Sequence, residues 1–309
     1  MSERYQIRFG GYGPPDTSFS KALKRIGDRL EGEFGQDIDI KYIYNIMDLG
    51  FKGEDILWLT EQGFLTISYQ SSSYLTDRIP ELGFVDLPFL FKDNSSARNA
   101  MDGSLGGHLT RKIEERINYK ILGYFENGFR QISNKIRPIF SPRDLKKIRI
   151  RVLPSDVHMR TFELLGAIPK RLDLTEAISG IVDGSLDAQE NPLTNTVTYG
   201  VHEHHKFHTI SNHFYVSRSI MCNRTAYYTW PEELKNAIKN AVQEAVVWQR
   251  NQAEKEVMNA RKKMEATGNK IIELTESQLE KFLERVKPQY EDAKELFGDK
   301  MFNIIGSEN

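Results

Sequence analysis

The sequence is poor in the features that would mark several function classes. It has a single cysteine, Cys222, so no internal disulfide framework is possible, and the residue carries no local nucleophile signature. A buried structural thiol is the expectation. No run of about eighteen apolar residues occurs, which excludes a membrane-spanning helix. Charge of one sign is also lacking. The formal net charge is −1, so neither a nucleic acid nor a membrane surface is recruited by the overall field. No Gly-x-Ser-x-Gly elbow and no His-Glu-x-x-His stretch is present, which leaves hydrolase chemistry without an anchor. Gly10-Gly11-Tyr12-Gly13 is followed by Pro14-Pro15, where a dinucleotide-binding turn would need helix N–H donors. No cofactor is expected. The start, Met1-Ser2-Glu3-Arg4, lacks a basic segment followed by an apolar one. A cytoplasmic chain, or one whose signal peptide was removed and replaced by an initiator Met, both fit.

What is present is a globular balance, with 39% hydrophobic and 28% charged residues over 309 positions. That length suits two domains. Strand and helix patterns alternate along the first half. Strands are predicted over Tyr5 to Phe9, Ile38 to Tyr44, Phe64 to Tyr69, Tyr119 to Phe125 and Arg149 to Leu153. Thr17 or Ser18 starts a helix with apolar positions Phe19, Leu23, Ile26 and Leu30 at helical spacing. Helices are also predicted over Glu54 to Gln62, over Asp156 to Leu165 closed by Gly166, and over Thr175 to Asp183 closed by Gly184. This order argues an α/β fold with a mostly parallel sheet. From Pro231 nothing interrupts the helical pattern until Gly268, roughly 50 Å of helix at about 1.5 Å per residue. A helix of that length straps two lobes together. A shorter one, Glu276 to Val286, is expected to end before Pro288.

His202, His204, His205 and His208 form a dense cluster, with His213 beyond it. Imidazoles at helical spacing can share a metal, yet apart from Glu203 no carboxylate or thiolate completes a set. A solvated connecting segment without a metal is the expected reading.

The most specific stretch runs from Asp144 to Pro192. It contains Lys147-Ile148-Arg149-Ile150-Arg151-Val152, Leu164-Leu165-Gly166-Ala167-Ile168-Pro169 and Gln189-Glu190-Asn191-Pro192. Upstream stand Pro80-Glu81-Leu82-Gly83, Asp86-Leu87-Pro88-Phe89-Leu90-Phe91 and Asn127-Gly128-Phe129-Arg130; downstream stands Ser211-Asn212-His213. In this order and over nearly its whole length, the chain resembles the solute-binding proteins of tripartite ATP-independent periplasmic (TRAP) transporters, the dicarboxylate-receptor (DctP) family.

The resemblance implies a two-lobed periplasmic-binding-protein fold of the Venus-flytrap kind, with the long C-terminal helix spanning both lobes. Residues 1–126 with 214–252 would form the first lobe and 127–213 with 253–309 the second, around an interlobe ligand cleft. It implies a non-enzymatic, periplasmic receptor, its signal peptide removed, that binds a small organic acid and delivers it to membrane permease subunits. By family position Arg151 clamps a carboxylate, and a guanidinium fork suits that role. Asn191 is the amide partner, while Arg130, His213 and Phe214 border the ligand. From the first lobe, Tyr12, Gln70 and Ser71 lie at strand ends facing the cleft. The stretches Leu174 to Ser179 and Ile46 to Gly50 depart from the family pattern next to the pocket, which leaves the ligand's identity open. A sulfonate is an alternative anion. An ATP-driven transporter's receptor, a sensor subunit, or an α/β enzyme using Glu190 or His213 as its base are the competing readings.

Overall fold

The computed structural model describes residues 4–306 and divides into two compact units. The first holds residues up to 71, 110–126 and 217–254; the second holds 72–109, 127–216 and those from 255 onward.

In the first unit, β1 (Tyr5–Gly10) lies parallel to β2 (Ile38–Ile43) in unbroken register from Tyr5↔Ile38 to Gly10↔Ile43. On its other edge β1 pairs in parallel with β3 (Ile67–Ser71). The helix Ser18–Phe34 makes the crossover from β1 to β2, with the Thr17 hydroxyl accepting from Ser20 N. Phe19, Leu23, Ile26 and Leu30 are buried, as their spacing requires. Cys222 is fully buried, and burial pushes its thiol well above the ordinary range. It is a packing residue.

The second unit is built on β5 (Arg149–Val152), β6 (Ile168–Arg171) and β7 (Ala188–Asn191), with β5 parallel to both neighbours. Two long strands run from one unit into the other: β4 (Tyr119–Asn134) and β8 (Phe207–Asn223). The last residues of β4 pair antiparallel with β7, from Gln131↔Asn191 to Asn134↔Ala188. β8 pairs antiparallel with β3 in the first unit and parallel with β9 (Lys270–Glu273) in the second. The helix Glu232–Ala266, 35 residues long, likewise contributes to both units. No helix among the described residues is long and apolar enough to cross a membrane.

Three expectations are revised. Residues 72–109 group with the second unit, not the first. The Thr76 hydroxyl donates to Pro154 O at 3.0 Å, Phe89 N to His213 O at 2.8 Å, and the Tyr290 hydroxyl to Pro88 O at 2.7 Å. These bonds join segments far apart in sequence, so composition cannot announce them. The C-terminal helix does not stop before Pro288 but runs from Glu276 to Phe297 with the proline inside. Phe282, Val286, Gln289 and Ala293 are buried along one face. Gln289 Nε2 donates to Val157 O at 2.7 Å, and its Oε1 accepts from the Thr161 hydroxyl at 2.8 Å. Tertiary packing on both sides of the proline outweighs the one ladder bond it forfeits.

The histidine segment, finally, is solvated only in part, at Glu203, His204 and Lys206. His202, His205 and His208 are buried. His205 Nδ1 sits 2.9 Å from the Ser133 hydroxyl, and His208 Nε2 lies 2.9 Å from both His205 O and Asn269 Oδ1. No group of three candidate metal ligands occurs among the described residues. Burial, helped by neighbouring His208, depresses His205 to about 3, and burial lowers His208 as well.

Two outcomes follow. Replacing Gln289 by Leu removes its bonds to Val157 O and the Thr161 hydroxyl, both of which keep each other as partners, and is expected to cost about 1–2 kcal/mol in urea unfolding. The depressed His205 binds its proton more readily when unfolded, so its contribution is complete above pH 6.5 and is lost progressively toward about pH 3. A His205→Gln variant is expected to show a shallower fall in stability over that window, measured by urea unfolding at stepped pH.

Candidate functional site

The sheet of the second unit has two faces of opposite character, set by the alternation of side chains along each strand. Ile132, Ala188, Ile150 and Val152 fall on one face by the pairings Ile132↔Glu190 and Ile150↔Ala188. They join Phe162, Phe214, Phe282 and Val286 in one core cluster. The pairings Gln131↔Asn191, Ser133↔Gln189 and Arg151↔Gln189 put five polar side chains on the other face. All five are buried, with Arg151 only 1% exposed and Asn191 4%. A buried polar face on a core sheet is costly unless it serves something.

Arg151 stands on that face beside Gln189. Its Nε donates to Leu172 O at 2.9 Å and one terminal nitrogen to the Tyr74 hydroxyl at 3.1 Å. Both partners are neutral, and among the described residues no carboxylate pairs with it. Tyr74 also accepts from Leu174 N at 3.1 Å, the first amide of the helix Leu174–Val182. One phenol therefore ties the guanidinium to a helix start. Sequence reading passes over that residue as one tyrosine among several, because its partners lie 77 and 100 positions away.

Asn191 ends β7 two residues beyond the Gln189 that pairs with Arg151, and so shares its face. Its Oδ1 accepts from Asn195 Nδ2 at 3.1 Å. Gln131 clamps the Ser211–Asn212 stretch of β8. Its Oε1 accepts from both backbone amides, and its Nε2 donates to Asn212 Oδ1 at 2.6 Å. Asn212 takes a positive φ of 46°, a conformation that Asn tolerates better than most residues.

Arg130 points the other way. It falls on the core face with Glu190, which holds it through Nε and through a terminal nitrogen at 3.0 Å, while the Glu190 carbonyl accepts at 2.6 Å. Burial alone would raise the Glu190 carboxyl, but Arg130, with His213 and His158, holds it well below the usual range. His213 Nε2 lies 3.7 Å from Glu190 Oε2, and its Nδ1 is 2.7 Å from the Ser211 hydroxyl. Burial keeps that ring below its ordinary value, against the opposing pull of Glu190. Phe214 stacks on His158 with ring centres 4.0 Å apart, inside the apolar cluster. The geometry thus places Arg130, His213 and Phe214 on the core face, in ion-pair and packing contacts. It also places Glu190, the base an enzyme reading would need, on the face opposite Arg151.

The first unit holds the other three expected residues. Tyr12 bridges to Asn45, and its ring packs 5.4 Å from that of Tyr69. The Arg218 guanidinium lies 3.8 Å from the Phe19 ring centre and 4.8 Å from that of Tyr12. Gln70 spends both ends of its amide locally, Nε2 on Gly53 O and Oε1 on Ser71 N, each at 2.8 Å. Ser71 is buried opposite Arg218 in the β3–β8 pairing.

A family model described as bacterial extracellular solute-binding protein, family 7, matches residues 9–296. The C4-dicarboxylate-binding protein DctB of Bacillus subtilis is 29% identical over 310 residues, covering 99% of this chain and 87% of the relative. Among solved structures, the sugar acid binding protein DctPAm of Advenella mimigardefordensis, in complex with galactonate, superposes with a TM-score of 0.93. It is 26% identical, over 100% of this chain and 99% of the other. A TRAP periplasmic solute binding protein of Sulfurospirillum deleyianum, with bound succinate, gives 0.91 at 25% identity over 99% and 100%. A buried arginine with only neutral partners and a match along almost the whole chain agree: this protein belongs to the bacterial extracellular solute-binding proteins of family 7, receptors rather than enzymes.

Proposed function

We propose that this chain is an extracytoplasmic receptor for a small organic carboxylate, seated on Arg151 with the Asn191 amide beside it, which passes its ligand to a TRAP-type membrane permease. The observation that carries the reading is the buried Arg151 guanidinium, held by a carbonyl and a phenol with no carboxylate among the described residues to balance its charge. A carboxylate ligand supplies that balance and accepts two parallel N–H bonds from the fork. Low surrounding polarity makes such bonds stronger than in water. The relatives agree in chemistry, since galactonate, succinate and C4-dicarboxylates all carry the group that Arg151 is suited to hold. Periplasmic location follows the names of the relatives, and delivery to a permease follows the family.

The test is a thermal-shift screen of the purified chain against galactonate, erythronate, glucuronate, succinate, an alkyl sulfonate and a neutral polyol. A carboxylate that binds only the folded chain raises the midpoint by mass action. Arg151→Ala is expected to remove that shift, weakening binding by about 30-fold or more. Arg151→Lys is expected to recover little, because an ammonium lacks the planar fork. A shift that survives in Arg151→Ala would sink the reading. Uptake by a reconstituted permease that proceeds equally well without this chain would remove the delivery step.

Arg130 should behave in the opposite way. Glu190→Gln keeps the shape but strips a buried guanidinium of its counter-ion, and is expected to cost about 3–5 kcal/mol of folding stability. Arg151→Ala removes a buried charge that has no counter-ion, so it is expected to leave the ligand-free midpoint unchanged or raised. Differential scanning calorimetry of the two variants without ligand checks both.

A further inference from the structure

Three carboxamides of the second unit are joined through one donor group. Asn195, in the helix Leu193–Thr198 that follows β7, turns its Nδ2 toward Asn127 Oδ1 at 3.0 Å and Asn191 Oδ1 at 3.1 Å. An amide NH2 carries two hydrogens, and each of these is spent on one neighbouring oxygen. All three side chains are less than a tenth exposed, so water does not readily scramble their orientation. The oxygen and nitrogen of a side-chain amide lie in one plane, on opposite sides of the Cβ–Cγ axis. Once its oxygen is turned toward Asn195, Asn191 must turn its NH2 the other way, and the same holds for Asn127.

We infer that Asn195 is a positioning residue that fixes the polarity of the binding face: by donating to Asn191 and Asn127 it makes both present N–H donors to a ligand, which selects groups that accept. The inference rests on the carboxylate reading above and deepens it. With Asn195 reversed, its Oδ1 would draw an N–H from each neighbour, and both would offer carbonyl lone pairs instead. A carboxylate on Arg151 would then meet an acceptor in Asn191. Choice between acceptor-bearing and donor-bearing ligands thus resides in a residue that need not touch the ligand. Its location explains why it can act: Asn195 is four positions beyond Asn191, one helical turn around the Pro192 corner, where its own backbone amide is fixed by helix geometry.

The experiment is a double-substitution cycle read by titration calorimetry. The probe is whichever of galactonate, erythronate, glucuronate and succinate gives the wild-type chain its largest thermal shift. Asn195→Asp is nearly isosteric, has no donor, and forces Asn191 to turn its NH2 inward. It is expected to weaken the probe about ten- to hundredfold, the range for losing a hydrogen bond to a charged group. The added negative charge alone would also weaken binding, so the same change is made in an Asn191→Leu background. There the loss is expected to be clearly smaller, because one of the two amides through which Asn195 acts, the one beside Arg151, is gone. An equal loss in both backgrounds would overturn the proposal in favour of simple charge repulsion. Asn195→Leu, which removes the donors without adding charge, is expected to weaken the probe several-fold in the wild-type background and clearly less in the Asn191→Leu background. If Arg151→Ala abolishes binding while both Asn195 variants leave it intact, the relay fails and the carboxylate reading stands. If no acid of the panel binds the wild-type chain, both fall together.

Discussion

The second unit is organised around a buried positive charge that no carboxylate among the described residues neutralises. Putting a guanidinium at 1% exposure costs several kcal/mol unless its donors and its charge are met. The fold meets part of the demand with neutral oxygens, Leu172 O on Nε and the Tyr74 hydroxyl on a terminal nitrogen. These hold the fork in place without cancelling its charge. A carboxylate from the protein would fill the same role better and would destroy the site. Electrostatic incompleteness is therefore what makes Arg151 useful, and the segments around it serve to keep it rigid and dry.

The contrast with Arg130 shows how local the decision is. Both arginines are 1% exposed, and both sit on adjoining parts of one sheet. Arg130 shares its face with Glu190 and is spent on that pair, which in turn engages His213. Arg151 is displaced to the opposite face by the odd-and-even alternation of the strands, where its neighbours are amides and hydroxyls. A slip of one residue in the β4–β7 or β5–β7 register would exchange these environments. Register, held in part by the Gln131 clamp on Ser211 and Asn212, is thus a functional quantity here.

Much of the architecture was legible without coordinates. The helical spacing of Phe19, Leu23, Ile26 and Leu30, the capping Thr17, and the uninterrupted pattern ending at Gly268 are local signals, and local hydrogen bonding obeys them. The motif around Arg151 was legible through its resemblance to a family, because Lys147–Val152 is a short-range pattern. The helix through Pro288 was not, since the buried partners of Gln289 lie more than 120 residues upstream. For the same reason the histidine segment looked solvated throughout, although Ser133 and Asn269 hold its buried His205 and His208.

By itself the sequence determined the α/β order, the long helix, and an arginine and an asparagine poised near strand ends. The first two follow from propensity, periodicity and caps, which act within a few residues; the arginine and the asparagine were singled out by their resemblance to family motifs. Only the tertiary structure decided which arginine keeps its charge uncompensated, that Tyr74 braces it, and which end of the Asn191 amide faces outward. Those outcomes depend on pairing between strands and helices distant in the chain. Whether a buried polar group is spent or available is a property of what surrounds it, and the chain acquires those surroundings only by folding.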